Sequence, residues 1–174
     1  LPHNPKDIAK ACIKAVKGTL KSNHVIPVTF PGFTGTITQE EHNKIVSYGT
    51  VTRVKRNTWV ISEVPWGFDR EKFFLTMESM MDSGKIQDFE DECADSKFKF
   101  TVKMDGTQDE KCAKDPIAYF KLSRAYSENY TALNENGKLI IFNDKLEIVE
   151  KFVEFRIKKV EERIAADVVR QEKE

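Results

Sequence analysis

Apolar positions along this chain change period several times, and each change marks an element. Asn4-Pro5 opens a first helix, with Asn4 as N-cap and Pro5 at the first helical position. Ile8, Cys12 and Ala15–Val16 share one face, and Gly18 ends the helix in the left-handed conformation. His24 to Gly35, with Pro27, Pro31, Gly32 and Gly35, reads as an extended crossing that turns twice. From Ile45 to Val64, Val46, Tyr48, Val51 and Val54 alternate with polar residues, Arg56-Asn57 supplies a turn and Thr58–Ile61 is β-rich. Pro65 and Gly67 stop this segment. Asp69 caps a second helix with Phe73, Met77 and Met80–Met81 at helical steps and Gly84 as its stop.

Further on, Phe98, Phe100, Val102 and Met104 alternate as a half-buried strand that Asp105-Gly106 turns away. Asp115-Pro116 opens a short helix to about Leu122, and Asn136-Gly137 leads into a strand over Lys138–Phe142. Asp144 with Glu147 resembles a capping box. Beyond it, Val149, Val153, Ile157, Val160, Ile164 and Val168 form one stripe among charged residues, with no glycine or proline to end the helix. Such a helix, about 45 Å long at 1.5 Å per residue, is expected to project and to need a partner helix for its stripe. The alternative is a terminal helix folded back on its own domain.

These elements predict an α+β fold, with a mixed or antiparallel sheet, packed helices and a long C-terminal coiled-coil helix. The expected division is 1–143 and 144–174. Leu1 in place of an initiating methionine suggests a processed, proteolysed or subcloned piece. No apolar run approaches the roughly 20 residues that span a bilayer, which predicts no membrane partner and a cytoplasmic location.

Composition excludes more than it assigns. Cys12, Cys93 and Cys112 are odd in number and far apart, which argues against a disulfide framework. His3, His24 and His42 have no metal-ligand spacing with each other or with the cysteines. Net charge is zero but unevenly spread. Residues 1–58 carry nine basic against three acidic residues, and 59–95 carry three against ten. A basic front can face a polyanion or simply be solvated. The acidic run Glu90–Asp95 has no calcium-loop spacing and is too dense for a defined octahedral site, so it reads as a solvated turn between strands. No nucleophile–base set or phosphate loop is present to support a free-standing enzyme.

Six short segments, in order, carry a resemblance. Leu1-Pro2-His3-Asn4-Pro5 resembles an "IPPHN" or "IPNF" opening. Pro31-Gly32-Phe33-Thr34-Gly35-Thr36-Ile37 resembles "GFKGTI", and Val60-Ile61-Ser62-Glu63-Val64-Pro65 resembles "ISELP". Ile86, Asp88, Asp91-Glu92 and Asp95 follow an "I…D…DESD" run. Leu122, Asn129 and Leu133 fit "LQTS…N…L", and Phe152–Arg156 resembles "EFR". Together they are similar to the breakage–reunion subunit of type II DNA topoisomerases, most closely its bacteriophage members. Thr34 stands where the family motif has lysine, and Leu122-Ser123-Arg124 replaces its glutamine-bearing segment.

The resemblance implies the tower domain and the start of the coiled coil of an ATP-dependent enzyme that passes one duplex through another. The partners it implies are duplex DNA, an ATPase and metal-binding subunit, and a second copy of the same chain in a homodimer of the full enzyme. It also implies that the catalytic tyrosine and the metal site lie upstream of Leu1. This chain is then expected to hold no catalytic residue, no metal and no cofactor of its own, with Mg²⁺ and ATP used elsewhere in the full enzyme. Tyr48, Tyr119, Tyr126 and Tyr130 match no nucleophile context of the family. Candidate phosphate contacts are Lys6, Lys10, Lys44, Arg53, Lys55 and Arg56, and the coiled-coil contacts are the stripe Val149, Val153, Ile157, Val160, Ile164 and Val168. A self-associating α+β module without DNA contact is the competing reading.

Overall fold

A computed structural model describes residues 1–41, 43–94 and 97–172. His42 and Asp95, both named above, lie outside the described residues. The chain forms two compact units: Leu1–Thr29 with Asn129–Glu174, and Phe30–Glu128. Elements are numbered in chain order.

The first unit is built on a pair of helices. α1 (Pro5–Val16) starts where Asn4 Oδ1 accepts from the Lys6 amide at 2.9 Å. α5 (Lys145–Gln171) starts at Asp144, whose carboxylate accepts from the Glu147 amide at 2.8 Å, while Glu147 Oε2 accepts from the Asn143 amide at 2.8 Å. The Asp144 half of the expected capping box forms, while Glu147 reaches one residue further back, to the Asn143 amide rather than to the amide of the cap residue. Ala11, Ile26, Leu146, Val149 and Val153 form the buried core of this unit, with Cys12, Ala15 and Leu20 packed on it. Lys145 Nζ donates to the Ile26 carbonyl at 3.0 Å.

The units therefore do not follow the 1–143 and 144–174 division. The apolar faces of α1 and of the first turns of α5 meet in one core with Ile26 and Leu20, so the two ends of the chain join in one unit. The stripe on α5 divides accordingly. Val149 and Val153 are buried against α1, Val160 is half-buried, and Ile157, Ile164 and Val168 are exposed. A hairpin of β8 (Thr131–Leu133) and β9 (Leu139–Ile141) completes this unit.

The second unit holds two antiparallel sheets. One orders β1 (Thr36–Glu41), β2 (Lys44–Tyr48) and β7 (Ser123–Ser127). The other orders β3 (Thr50–Lys55), β4 (Thr58–Glu63), β6 (Phe100–Lys103) and β5 (Asp88–Asp91). Gly49 separates the sheets. Its amide donates to the Leu122 carbonyl at 2.9 Å, and a Cβ here would lie 2.4 Å from the Glu63 carbonyl oxygen. Only glycine permits that approach, and the β-rich run from Ile45 to Val64 is divided there.

α2 (Arg70–Asp82), capped by Asp69 accepting from the Lys72 amide, buries Phe73, Met77 and Met80 against Ile61, Phe100 and Val102. α3 (Gly106–Lys114) and α4 (Pro116–Tyr119) follow, each N-capped by an aspartate. Of the acidic run, Glu90 and Asp91 end β5, and Glu92–Ala94 belong to the turn between β5 and β6 that the sequence predicts. β5 is an edge strand, and cations neutralise its acids and the residue after it: Arg70–Asp91 spans 2.7 Å, Lys103–Glu90 2.7 Å and Lys99–Glu92 2.9 Å. Strand pairing leaves these acids on one rim, where facing cations remove the like-charge repulsion.

Candidate nucleic-acid interface

The β3–β4 hairpin turns at Arg56-Asn57, with Lys55 opposite Thr58. Asn57 takes φ 64°, the left-handed conformation that asparagine tolerates better than other side chains. Lys55 and Arg56 are exposed at this end and form no ion pair among the described residues. Behind the turn lies Asp109 of α3, 1% exposed. Its Oδ1 accepts from the Trp59 indole N–H at 2.8 Å. Its Oδ2 accepts from the Asn57 amide at 3.1 Å and from the Arg53 guanidinium. Arg53 also lies over the Trp59 ring, 5.9 Å from its centroid.

Burial alone would push the Asp109 carboxyl upward. The Trp59 N–H, the Asn57 amide and Arg53 together outweigh it and hold the group below the ordinary carboxylate range. A folded-state pKa below the unfolded one gives stability that is present above the unfolded value and lost as pH falls through the folded one. Denaturant unfolding of the wild type and of Asp109→Asn, from about pH 7 to about pH 3, is expected to show the gap in unfolding free energy closing toward acid. A gap independent of pH would mean that ionised Asp109 contributes no net stability.

The six candidate cations separate in this structure. Lys6 and Lys10 lie exposed on α1 in the first unit, Lys10 with Asp7 at 3.1 Å. Lys44 pairs with Glu40 at 3.0 Å. That bond lowers the Glu40 pKa and raises that of Lys44. Arg53 pairs with the buried Asp109, although its own side chain stays 43% exposed. Lys55 and Arg56 remain as exposed cations at the end of the hairpin. Sequence reasoning missed Asp109 and the helix that carries it. The available signal was the three-residue step from Asp109 to Cys112, which puts a carboxylate on the face that cysteine buries.

Near the start of this unit, Phe30 stacks on Trp66 with centroids 4.6 Å apart, and Phe33 meets Trp66 edge-on at 6.3 Å. Pro31, Phe33, Glu63, Pro65, Trp66 and Phe68 line a shallow groove of about 430 Å³. Thr34, at the family's lysine position, uses its amide and hydroxyl on Glu63 Oε2 at 3.1 and 2.6 Å. Arg124 donates to the Gly67 carbonyl at 3.0 Å and lies over the Phe68 and Tyr126 rings, and the Tyr126 hydroxyl donates to the Trp66 carbonyl. These side chains are committed to holding the turn at Pro65–Phe68.

Burial, with the nearby Cys112 and Asp105, pushes the Tyr119 hydroxyl up to about 12, the wrong direction for a nucleophile. Among the described residues, no three His, Cys, Asp or Glu side chains are grouped to hold a metal ion. No helix among them is long and apolar enough to cross a membrane.

Known proteins resemble this chain in both sequence and fold. The family model for the A subunit of DNA gyrase/topoisomerase IV matches residues 1–174. The DNA topoisomerase medium subunit of Enterobacteria phage T4 is 28% identical over 170 residues, covering 94% of this chain and 38% of that protein. DNA topoisomerase 2 of Plasmodium falciparum (isolate K1 / Thailand) is 27% identical over 179 residues, covering 99% of this chain and 12% of the relative. In fold, the chain is similar to the crystal structure of the Plasmodium falciparum topoisomerase II DNA-binding, cleavage and re-ligation domain. The TM-score is 0.88 at 22% identity, over 99% of this chain and 24% of that one. The chain thus spans well under half the length of these relatives.

Proposed function

The chain belongs to the family of DNA gyrase/topoisomerase IV A subunits, and from that premise we propose that it is the duplex-supporting part of an ATP-dependent type II topoisomerase. In this reading the second unit backs an arm of the bent gate duplex, and α5 leads toward the exit gate. The observation that carries it is the exposed pair Lys55 and Arg56, on a turn fixed from behind by Asp109. Cations fixed in this way bind phosphates and read no sequence.

Bond breakage belongs to other parts of the enzyme. Mg²⁺ near a scissile phosphate polarises it and stabilises developing charge, but the acids of β5 do not fit that ion. Asp91 and Glu90 already pair with Arg70 and Lys103, and Glu92, just past the strand, pairs with Lys99. The chain alone is therefore expected to bind duplex DNA with a steep salt dependence, and neither to nick nor to relax supercoiled plasmid with Mg²⁺ and ATP. Relaxed plasmid would refute the division of labour, and salt-independent or absent duplex binding would refute the DNA-supporting role.

A second reading, a module that self-associates through α5, draws on the exposed Ile157, Ile164 and Val168. Sedimentation of the chain with and without duplex separates the two.

A further inference from the structure

We infer that Asp109 is a positioning residue for duplex binding, holding the β3–β4 turn so that Lys55 and Arg56 meet phosphates from a rigid tip. The inference rests on the duplex-supporting role proposed above. One carboxylate takes three donors from one hairpin: the Arg53 guanidinium on β3, the Asn57 amide in the turn and the Trp59 indole on β4. It thus ties both strands and the turn to α3. The turn is also tied to the residue after β6, since the Met104 amide donates to the Asn57 carbonyl at 3.0 Å.

A buried carboxylate is costly unless its lone pairs are filled. Here all three donors come from the hairpin that carries the exposed cations. A hairpin end without that tie would present Lys55 and Arg56 over a wider range of positions, and ordering them would offset phosphate binding. Asp109 removes that cost before DNA arrives. It also takes up the charge of Arg53, which leaves Lys55 and Arg56 as the outward pair.

The test is a double-mutant cycle on duplex affinity, measured at several salt concentrations with an arbitrary-sequence duplex. The variants are Asp109→Asn, Lys55→Gln/Arg56→Gln and all three together. Asp109→Asn removes a negative charge beside a basic tip, so Coulomb attraction alone predicts tighter binding. Positioning predicts the reverse: weaker binding, with the salt slope reduced by up to about 1.8, the contribution of two phosphate contacts. In the Lys55→Gln/Arg56→Gln background, Asp109→Asn is expected to cost no affinity and at most to add the small Coulombic gain, an outcome that general loosening of the fold would not produce.

Tighter or unchanged binding by folded Asp109→Asn, while the tip variant is weakened, overturns the inference and leaves the DNA reading intact. An equal loss in both backgrounds overturns it as well. A tip variant that binds like the wild type overturns the DNA reading of the turn, and this inference with it. If Asp109→Asn does not fold, Trp59→Phe replaces it. That change removes one donor and keeps an aromatic ring, and the same coupling with smaller amplitude is expected.

Discussion

Val153→Asp unfolds the helix pair of the first unit, while Ile157→Asp, four residues along the same stripe, leaves it folded. Val153 is 7% exposed in the core that α1 and α5 share, and Ile157 is 42% exposed. The first substitution puts a carboxylate among the apolar side chains of Ala11, Ile26 and Val149. An unpaired charge in such a place costs about 3–5 kcal/mol. The second stays at the surface and changes stability by no more than about 0.5 kcal/mol. Thermal melts followed by far-ultraviolet circular dichroism separate the two. A folded Val153→Asp would mean that α1 does not hold α5. If α5 also meets another helix through its second half, Ile157→Asp loosens that association without lowering the melting temperature, and sedimentation reads it.

Charge reversal at the turn, Lys55→Glu with Arg56→Glu, is expected to weaken duplex binding almost equally for every sequence and to flatten its salt dependence. Each phosphate contact contributes about 0.9 to the slope of log affinity against log salt. Two lost contacts remove about 1.8, or roughly a 60-fold share of the gain in affinity between 1 M and 0.1 M salt. Arg53 is left out of this count because it is paired with Asp109. Adding Arg53→Glu is expected to lower stability, since it sets a second carboxylate against a buried one, and to add little to the slope. Fluorescence titration of two unrelated duplexes at four salt concentrations decides the matter. Unchanged slopes would place the DNA track elsewhere, with Lys6 and Lys10 of α1 the next cations to test.

Local chemistry alone makes much of this chain legible. Asn4-Pro5, Asp69, Asp115-Pro116 and Asp144 each start a helix where sequence places one, because a cap needs only a side-chain oxygen and amides two or three residues ahead. The Arg56-Asn57 turn is likewise a property of a few adjacent residues. Six ordered motifs point to the family, which the match over residues 1–174 shows.

What the sequence left open depended on groups far apart in the chain. α3 buries one apolar side chain, Cys112, and one carboxylate, so its periodicity is nearly invisible. The acids of β5 are neutralised by Lys103 of β6 and Arg70 of α2, which no local pattern reveals. Arg53 looks like any surface cation until Asp109, 56 residues away, is set behind it. The α5 stripe is uniform in sequence, yet α1 covers Val149 and Val153 and leaves Ile157 exposed. Periodicity records which face of an element is apolar. Which part of that face is covered, and which charge is neutralised, is decided by the partner that tertiary folding brings against it.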